Sequence, residues 1–180
     1  EQVTQALEGR DYTESWGIEA NPDIDTLKKA IAIGKEKNID FLLAVGGGSV
    51  IDGTKLISAG IPYEGDAWEL VKKGSSQVTI PLGTVLTIPA TGSEMNNGAV
   101  ISRRETHEKY PFYADYPVFS ILDPTVTFSL PDFQIACGLA DTFVHVMEQY
   151  MTKSNESYLM DRWSESILRT LVQIAPLIKE

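Results

Sequence analysis

A short, unbroken apolar run that ends on three consecutive glycines constrains this chain more than any other feature. After Asp40, the residues Phe41-Leu-Leu-Ala-Val45 are all apolar. A run so short and so continuous is the pattern of a strand buried on both faces of a parallel sheet. Gly46-Gly47-Gly48-Ser49 follow at once, and Val50, Ile51, Thr54, Leu56 and Ile57 then take up helical spacing. Upstream, Ile24, Leu27, Ala30, Ile31 and Gly34 recur every three or four residues between Asp23 and Lys37, with acids early and lysines late. That is an amphipathic helix matched to its own dipole. Helix, buried strand, glycine turn and helix in succession predict an α/β layer.

The rest of the chain extends this reading. Val3 to Leu7 reads as the end of a helix closed by Gly9, followed by a loop with Pro22 near its end. Ile61 to Ser76 reads as loop, with one turn of helix at Trp68-Glu-Leu-Val71. A strand is expected over Thr84–Ile88, then a polar loop from Ala90 to Gly98. Ala99–Arg103 and Lys109–Tyr113 flank a charged turn and predict a hairpin. Val118–Leu122 is a further buried strand, stopped by Asp123-Pro124. After Pro131 the period becomes helical only, over Asp132–Met151 and again over Glu156–Lys179, with Pro176 interrupting near the end. The expected organisation is an α/β domain over 1–130 and the first helices of an all-helical domain over 131–180.

Charge narrows the function classes. With 15 basic against 25 acidic residues, the chain carries a formal charge of -10. It lacks the clustered Lys and Arg by which nucleic acid or an anionic membrane is bound. Small molecules and protein partners remain. Cys137 is the only cysteine, so no intrachain disulfide forms, and the modest expectation is a cytoplasmic protein. No apolar run approaches the roughly 20 residues of a membrane-spanning helix. The chain opens mid-helix without an initiator Met and stops near a helix end, so it reads as a piece of something longer.

Three groups of residues carry chemistry. Gly46, Gly47 and Gly48, between a strand and a helix, suit a phosphate-binding turn, because backbone N–H groups at a helix N-terminus point at an anion that no Cβ holds off. Ser49 adds a hydroxyl. A tight turn required by packing alone is the competing reading. Asp52 is either a ribose or substrate contact or an acid favoured by the helix dipole. In the loop after the second strand, Thr87, Thr91, Ser93, Asn96 and Asn97 offer neutral donors and acceptors at the sheet edge where ligands bind, or they simply shape a turn. Lys109 is either a cationic neighbour of a phosphate or ribose, or a solvated surface lysine.

Asp141 and His145 form the sharpest local signal. Four apart on an expected helix, they project from one face and could share a divalent ion such as Fe, Zn or Mn. An ordinary i, i+4 hydrogen bond is the alternative. Glu148 could orient the imidazole from behind. His107, the only other histidine, sits in the charged turn Arg103-Arg-Glu-Thr-His-Glu108. Two protein ligands are fewer than a catalytic metal site normally supplies.

Four ordered motifs, Ala44-Val-Gly-Gly-Gly-Ser-Val-Ile-Asp52, Leu86-Thr-Ile-Pro-Ala-Thr-Gly-Ser-Glu94, Ile121-Leu-Asp-Pro124 and Gly138-Leu-Ala-Asp-Thr-Phe-Val-His-Val-Met-Glu148, resemble the iron-dependent (group III) alcohol dehydrogenases. The likeness is strongest to the branch of butanol dehydrogenases and broad aldehyde reductases. The resemblance implies a parallel-sheet dinucleotide-binding domain lacking its first strands, followed by the start of an all-helical metal-binding domain. It implies NADP or NAD as cofactor, Fe2+ or Zn2+ as metal, a small aldehyde or alcohol as substrate, and a homo-oligomer, namely a homodimer. Asp141 and His145 would be the first two ligands, with two further histidines outside this sequence. Gly46 to Ser49 would hold the pyrophosphate, Thr87, Ser93, Asn96 and Lys109 would line the cofactor, and Asp52 would face its nicotinamide end. No side chain here is an evident general acid. The parent would then catalyse hydride transfer to an aldehyde, and this piece alone would be inactive. Two alternatives stay open: a glycerol dehydrogenase or dehydroquinate synthase-like enzyme of the same fold, and a metal-free nucleotide-binding module. Cutting short a helical domain would also leave apolar faces around Phe143, Met147, Trp163, Ile167 and Leu171 without their full set of neighbours.

Overall fold

Asp23 sets where the first long helix starts. Its backbone is extended and its carboxylate accepts a hydrogen bond from the Asp25 N–H at 3.0 Å, which satisfies an otherwise orphaned donor of the first turn. The structure, a computed structural model, describes residues 2–152 and 157–179. After a short α1 (Gln2–Ala6), helix α2 spans Ile24–Glu36 and buries all five expected positions, Ile24, Leu27, Ala30, Ile31 and Gly34. Strand β1 is Leu42–Gly46, and helix α3, Gly48–Gly60, follows the glycine turn directly.

The segment expected to be mostly loop holds a seven-residue helix, α4 (Ala67–Lys73). Asp66 caps it by accepting from the Trp68 N–H at 2.9 Å, and Gly74 closes it at φ +80°. Its apolar residues are interrupted by too few turns to register as a period, yet Trp68, Leu70 and Val71 are all buried. Strand β2 is Leu82–Leu86, two residues earlier than expected. The reason is pairing: β2 lies parallel to β1 in the register Leu42–Leu82 through Gly46–Leu86. Once β1 bends away at its glycines, the Thr87 N–H to Gly46 carbonyl bond at 3.1 Å is the last link.

The hairpin forms as expected from β3 (Gly98–Arg103) and β4 (Glu108–Tyr113), antiparallel with Ala99 opposite Phe112. His107, at φ +55°, sits in its exposed turn. Strand β5, Phe119–Ile121, completes a parallel sheet of order β1-β2-β5. The larger core lies between α2, α3, α4 and the hairpin, where Leu27, Leu56, Ile101 and Phe112 are fully buried. A smaller cluster of Ala44, Ile51 and Leu86 joins α3 to the sheet.

Burial on both faces holds for the central strand β2, whose residues are all buried, but not for the outer strands β1 and β5. Ala44 is 2% exposed while its neighbour Val45 is 42% exposed, and on β5 Phe119 and Ile121 are half exposed. Helix α3 packs on one face, and the outer strands leave the other partly open. On that open face the rings of Phe41 and Phe119 stack with centroids 6.0 Å apart. Gly83 makes room for this, since a Cβ there would lie 2.4 Å from the Phe119 ring.

Beyond residue 130 the described elements are helical: α5 (Asp132–Tyr150), α6 (Tyr158–Ile174) and a 3-10 segment (Ala175–Lys179). Glu156, the expected start of the second helix, lies outside the described residues. Helices α5 and α6 pack on each other, but neither buries a residue fully. Trp163 and Ile167 stay largely exposed, Phe143, Met147 and Leu171 partly so, and a groove of about 610 Å³ runs beside Leu139, Phe143, Leu171 and Val172. No described helix is long and apolar enough to cross a membrane.

Candidate cofactor and metal sites

Register brings two loops to one sheet edge. Gly46 and Leu86 are partners at the C-terminal ends of β1 and β2, so the glycine turn and the 87–98 loop leave the sheet side by side, where open α/β sheets hold their ligands. The glycines are demanded by space, not by unusual backbone angles, since Gly46, Gly47 and Gly48 all keep negative φ. A Cβ on Gly47 would come within 2.6 Å of Ile88 Cγ2, and one on Gly48 within 2.3 Å of Thr91 Oγ1. Close packing is therefore one reason why these positions carry no side chain.

The start of α3 differs from the other capped helices in a way that matters for anions. Asp23 and Asp66 cap α2 and α4 with their carboxylates, whereas Gly47 at the head of α3 offers no side chain. The first N–H groups of a helix have no acceptor within it. At α3 no acid competes for them, so the turn suits a phosphate group.

Hydrogen bonds tie several of the expected residues to their neighbours near this turn. Ser49 Oγ accepts from the Asn21 N–H at 3.2 Å, and Asn21 Oδ1 accepts from Lys109 Nζ at 2.7 Å. Asn21, in the left-handed region at φ +56°, thus ties Ser49 to Lys109. Sequence reasoning missed it, and the cue was the Asn-Pro step at residues 21–22, a turn signal. Asp52 Oδ2 accepts from the Val100 N–H at 2.9 Å, while its Oδ1 is buried without a partner. Thr87 is half-buried directly after β2.

The 87–98 loop is held from within and from both sides. Gly92 turns it at φ +66°, and Thr91 and Ser93 share a hydroxyl hydrogen bond at 2.7 Å. The Asn96 amide donates to the Gly92 carbonyl and accepts from the Gly98 N–H, both at 2.9 Å. Its hydrogen bonds shape the loop. Ser120 on β5 donates to the Glu94 carbonyl at 2.6 Å and accepts from Thr84.

Lys55 holds the other side, and little in the sequence marks it out. It is 0% exposed, in the middle of α3. Its Nζ donates to the Ser93 carbonyl (2.8 Å), Asn96 Oδ1 (3.0 Å) and the Gly98 carbonyl (2.6 Å). Loss of water pushes its pKa down to about 8 against the pull of the Asp52 and Glu94 charges. The only cue was a lysine flanked on α3 by small and apolar residues.

On α5, Asp141 Oδ2 lies 3.6 Å from His145 Nε2, and Glu148 Oε2 lies 3.9 Å from His145 Nδ1. The first pair leaves a carboxylate oxygen and an imidazole nitrogen converging on one side of the ring, a donor set that fits a first-row divalent ion. Glu148 addresses the opposite nitrogen. Among the described residues no third His, Cys, Asp or Glu completes a metal-holding group.

Residues 1–124 match the family model of the iron-containing alcohol dehydrogenases. The chain belongs to the iron-containing alcohol dehydrogenase family. Its relatives in that family include the NADPH-dependent aldehyde reductase YqhD of Escherichia coli, 48% identical over 98% of this chain and 47% of that protein. A probable NADH-dependent butanol dehydrogenase 1 of Bacillus subtilis is 50% identical over 98% of this chain and 46% of its own length. The crystal structure of E. coli YqhD superimposes with a TM-score of 0.89 at 48% identity, covering 99% of this chain and 48% of that one. The mixed α/β fold with its parallel sheet is thus that of the iron-containing alcohol dehydrogenases. The chain spans about half the length of these relatives.

Proposed function

We propose that this chain supplies the nucleotide-binding part and two of the metal ligands of an NAD(P)H-linked enzyme that interconverts small aldehydes and alcohols. The observation that carries the proposal is the convergence of the uncapped glycine turn and the 87–98 loop at the carboxyl edge of β1 and β2. The names of the relatives support the substrate class and leave the choice of NADP or NAD open.

In this reading the backbone N–H groups of Gly48 and Ser49 bind the pyrophosphate, and Gly47 lets it approach. Lys109, held by Asn21, contributes positive charge at the rim, and Ser49 is oriented by the same residue. Thr87 and Ser93 line the cofactor, Asn96 positions the loop that carries them, and Asp52 faces the nicotinamide end. Asp141 and His145 hold the divalent ion, Fe2+ or Zn2+, and Glu148 orients the imidazole. When bound, the ion supplies Lewis-acid polarisation of the substrate oxygen and the dinucleotide supplies the hydride. Fixing donor and acceptor in one cleft lowers the entropic part of the barrier. With only two donors from the described residues, this stretch by itself is expected not to turn over. Self-association, in a reducing cytoplasm, is part of the same proposal, resting on the uncovered α5–α6 face and the lone cysteine.

The test is titration of the intact protein with NADPH and NADH, together with reduction of butyraldehyde by the wild type and by Asp141→Ala. Cofactor binding with loss of turnover in the variant is expected. Unaltered turnover in Asp141→Ala sinks the metal assignment, and absence of NADPH and NADH binding sinks the nucleotide assignment.

A further inference from the structure

The buried ammonium of Lys55 is not used by any step above, yet it makes three hydrogen bonds to one short loop. We propose that Lys55 is a positioning residue for the cofactor: by clamping residues 93–98 onto α3, it holds the far wall of the nucleotide cleft at the spacing that the glycine turn requires. The inference rests on the nucleotide-binding reading of that turn.

The geometry forms a continuous chain. The Gly48 Cα is packed so closely on Thr91 that a Cβ would meet Thr91 Oγ1. Thr91 is bonded to Ser93, whose carbonyl accepts from Lys55. Lys55 in turn projects from the same helix that Gly48 begins. The path therefore leaves the helix at its N-terminus, crosses the cleft wall and returns to the helix two turns later. Asp52, one turn before Lys55, seizes the next stretch of chain through the Val100 N–H. Helix α3 thus grips residues 93 to 100 at four points.

An apolar residue could fill the space but could not do this work. The Ser93 and Gly98 carbonyls and the Asn96 amide oxygen converge on one nitrogen, and each would lose that partner if the ammonium were removed. Buried carbonyls without donors are costly, so the loop would move to find water. The first groups displaced would be Ser93 and, through their shared hydrogen bond, Thr91, which packs against Gly48. A lysine is suited to the place because its three donors radiate from one atom, whereas the planar fork of an arginine cannot point at three converging acceptors.

The experiment uses the intact protein and its Lys55→Met variant, read by NADPH and NADH fluorescence titration, steady-state kinetics with butyraldehyde and hydrogen exchange. Expected are a cofactor Kd and KM raised by about tenfold or more, a kcat at saturating cofactor within about twofold of wild type, and faster exchange confined to residues 92–98. A core lysine needed only for stability would lower the melting temperature and leave the Kd of the folded fraction unchanged, and that result overturns the proposal. If Lys55→Met does not fold, Asn96→Ala removes one of the three acceptors. It should raise the Kd by about threefold, and an unchanged Kd there overturns the proposal equally. Absence of NADPH and NADH binding in the wild type would instead refute the nucleotide reading, and this inference with it. The two failures are separate because the second is seen without any substitution.

Discussion

Asp141 Oδ2 and His145 Nε2 stand 3.6 Å apart on one face of α5, both about half exposed. A single helical turn separates them, so their proximity needs no tertiary contact, and an exposed pair of this kind contributes little to stability. Asp141→Ala should therefore leave the unfolding free energy within about 0.5 kcal/mol of wild type. It should also lower Fe or Zn retained after dialysis by about tenfold or more, measured by elemental analysis of the intact protein. Full metal content in the variant would show that the pair is only a helix-surface contact.

Gly48→Ala places a methyl group against Thr91 Oγ1. Overpacking of this kind costs about 1–3 kcal/mol, to be read by urea denaturation. Adding Thr91→Ala should recover most of that loss. It should not recover cofactor affinity, because the new methyl still crowds the first N–H groups of α3. Recovery of both would mean that the glycine answers only to packing.

Lys55 makes stability depend on pH in a definite direction. Its folded pKa, about 8, lies below the ordinary 10.5, so between those values the unfolded chain binds the extra proton. The cost of burying the charge is complete below pH 8 and fades as pH rises toward 10.5. Measured against Lys55→Met, whose side chain does not titrate, wild type should gain up to about 3 kcal/mol across this window. A difference that stays flat or falls with pH contradicts the assignment.

Asp23 links two parts of the fold, accepting from Asp25 N–H at 3.0 Å and from Arg104 N–H at 2.8 Å while 6% exposed. Asp23→Ala loses a cap and orphans a backbone donor beside the hairpin. A loss of about 2–3 kcal/mol in chemical denaturation is expected, against about 1 kcal/mol for a cap alone. Asp23→Asn, which keeps an acceptor oxygen, should recover part of it.

Periodicity in the chain was enough to locate α2, β1, α3, the β3–β4 hairpin and the helical stretch after Pro131, and to single out the glycine turn and the Asp141–His145 pair. These are local properties: a helix places residues four apart on one face, and a strand of continuous apolar residues announces a sheet. The four ordered motifs also identified the family. What only the tertiary structure decided was which polar groups meet across long separations in sequence. Lys55 reaches the Ser93 carbonyl 38 residues away, and Lys109 reaches Asn21 across 88. The openness of one sheet face, the two-residue shift of β2 and the internal role of Asn96 were decided in the same way. Each depends on which element packs against which, and a pattern of side chains along one segment carries no record of the neighbour that will satisfy or leave bare its donors, acceptors and apolar faces.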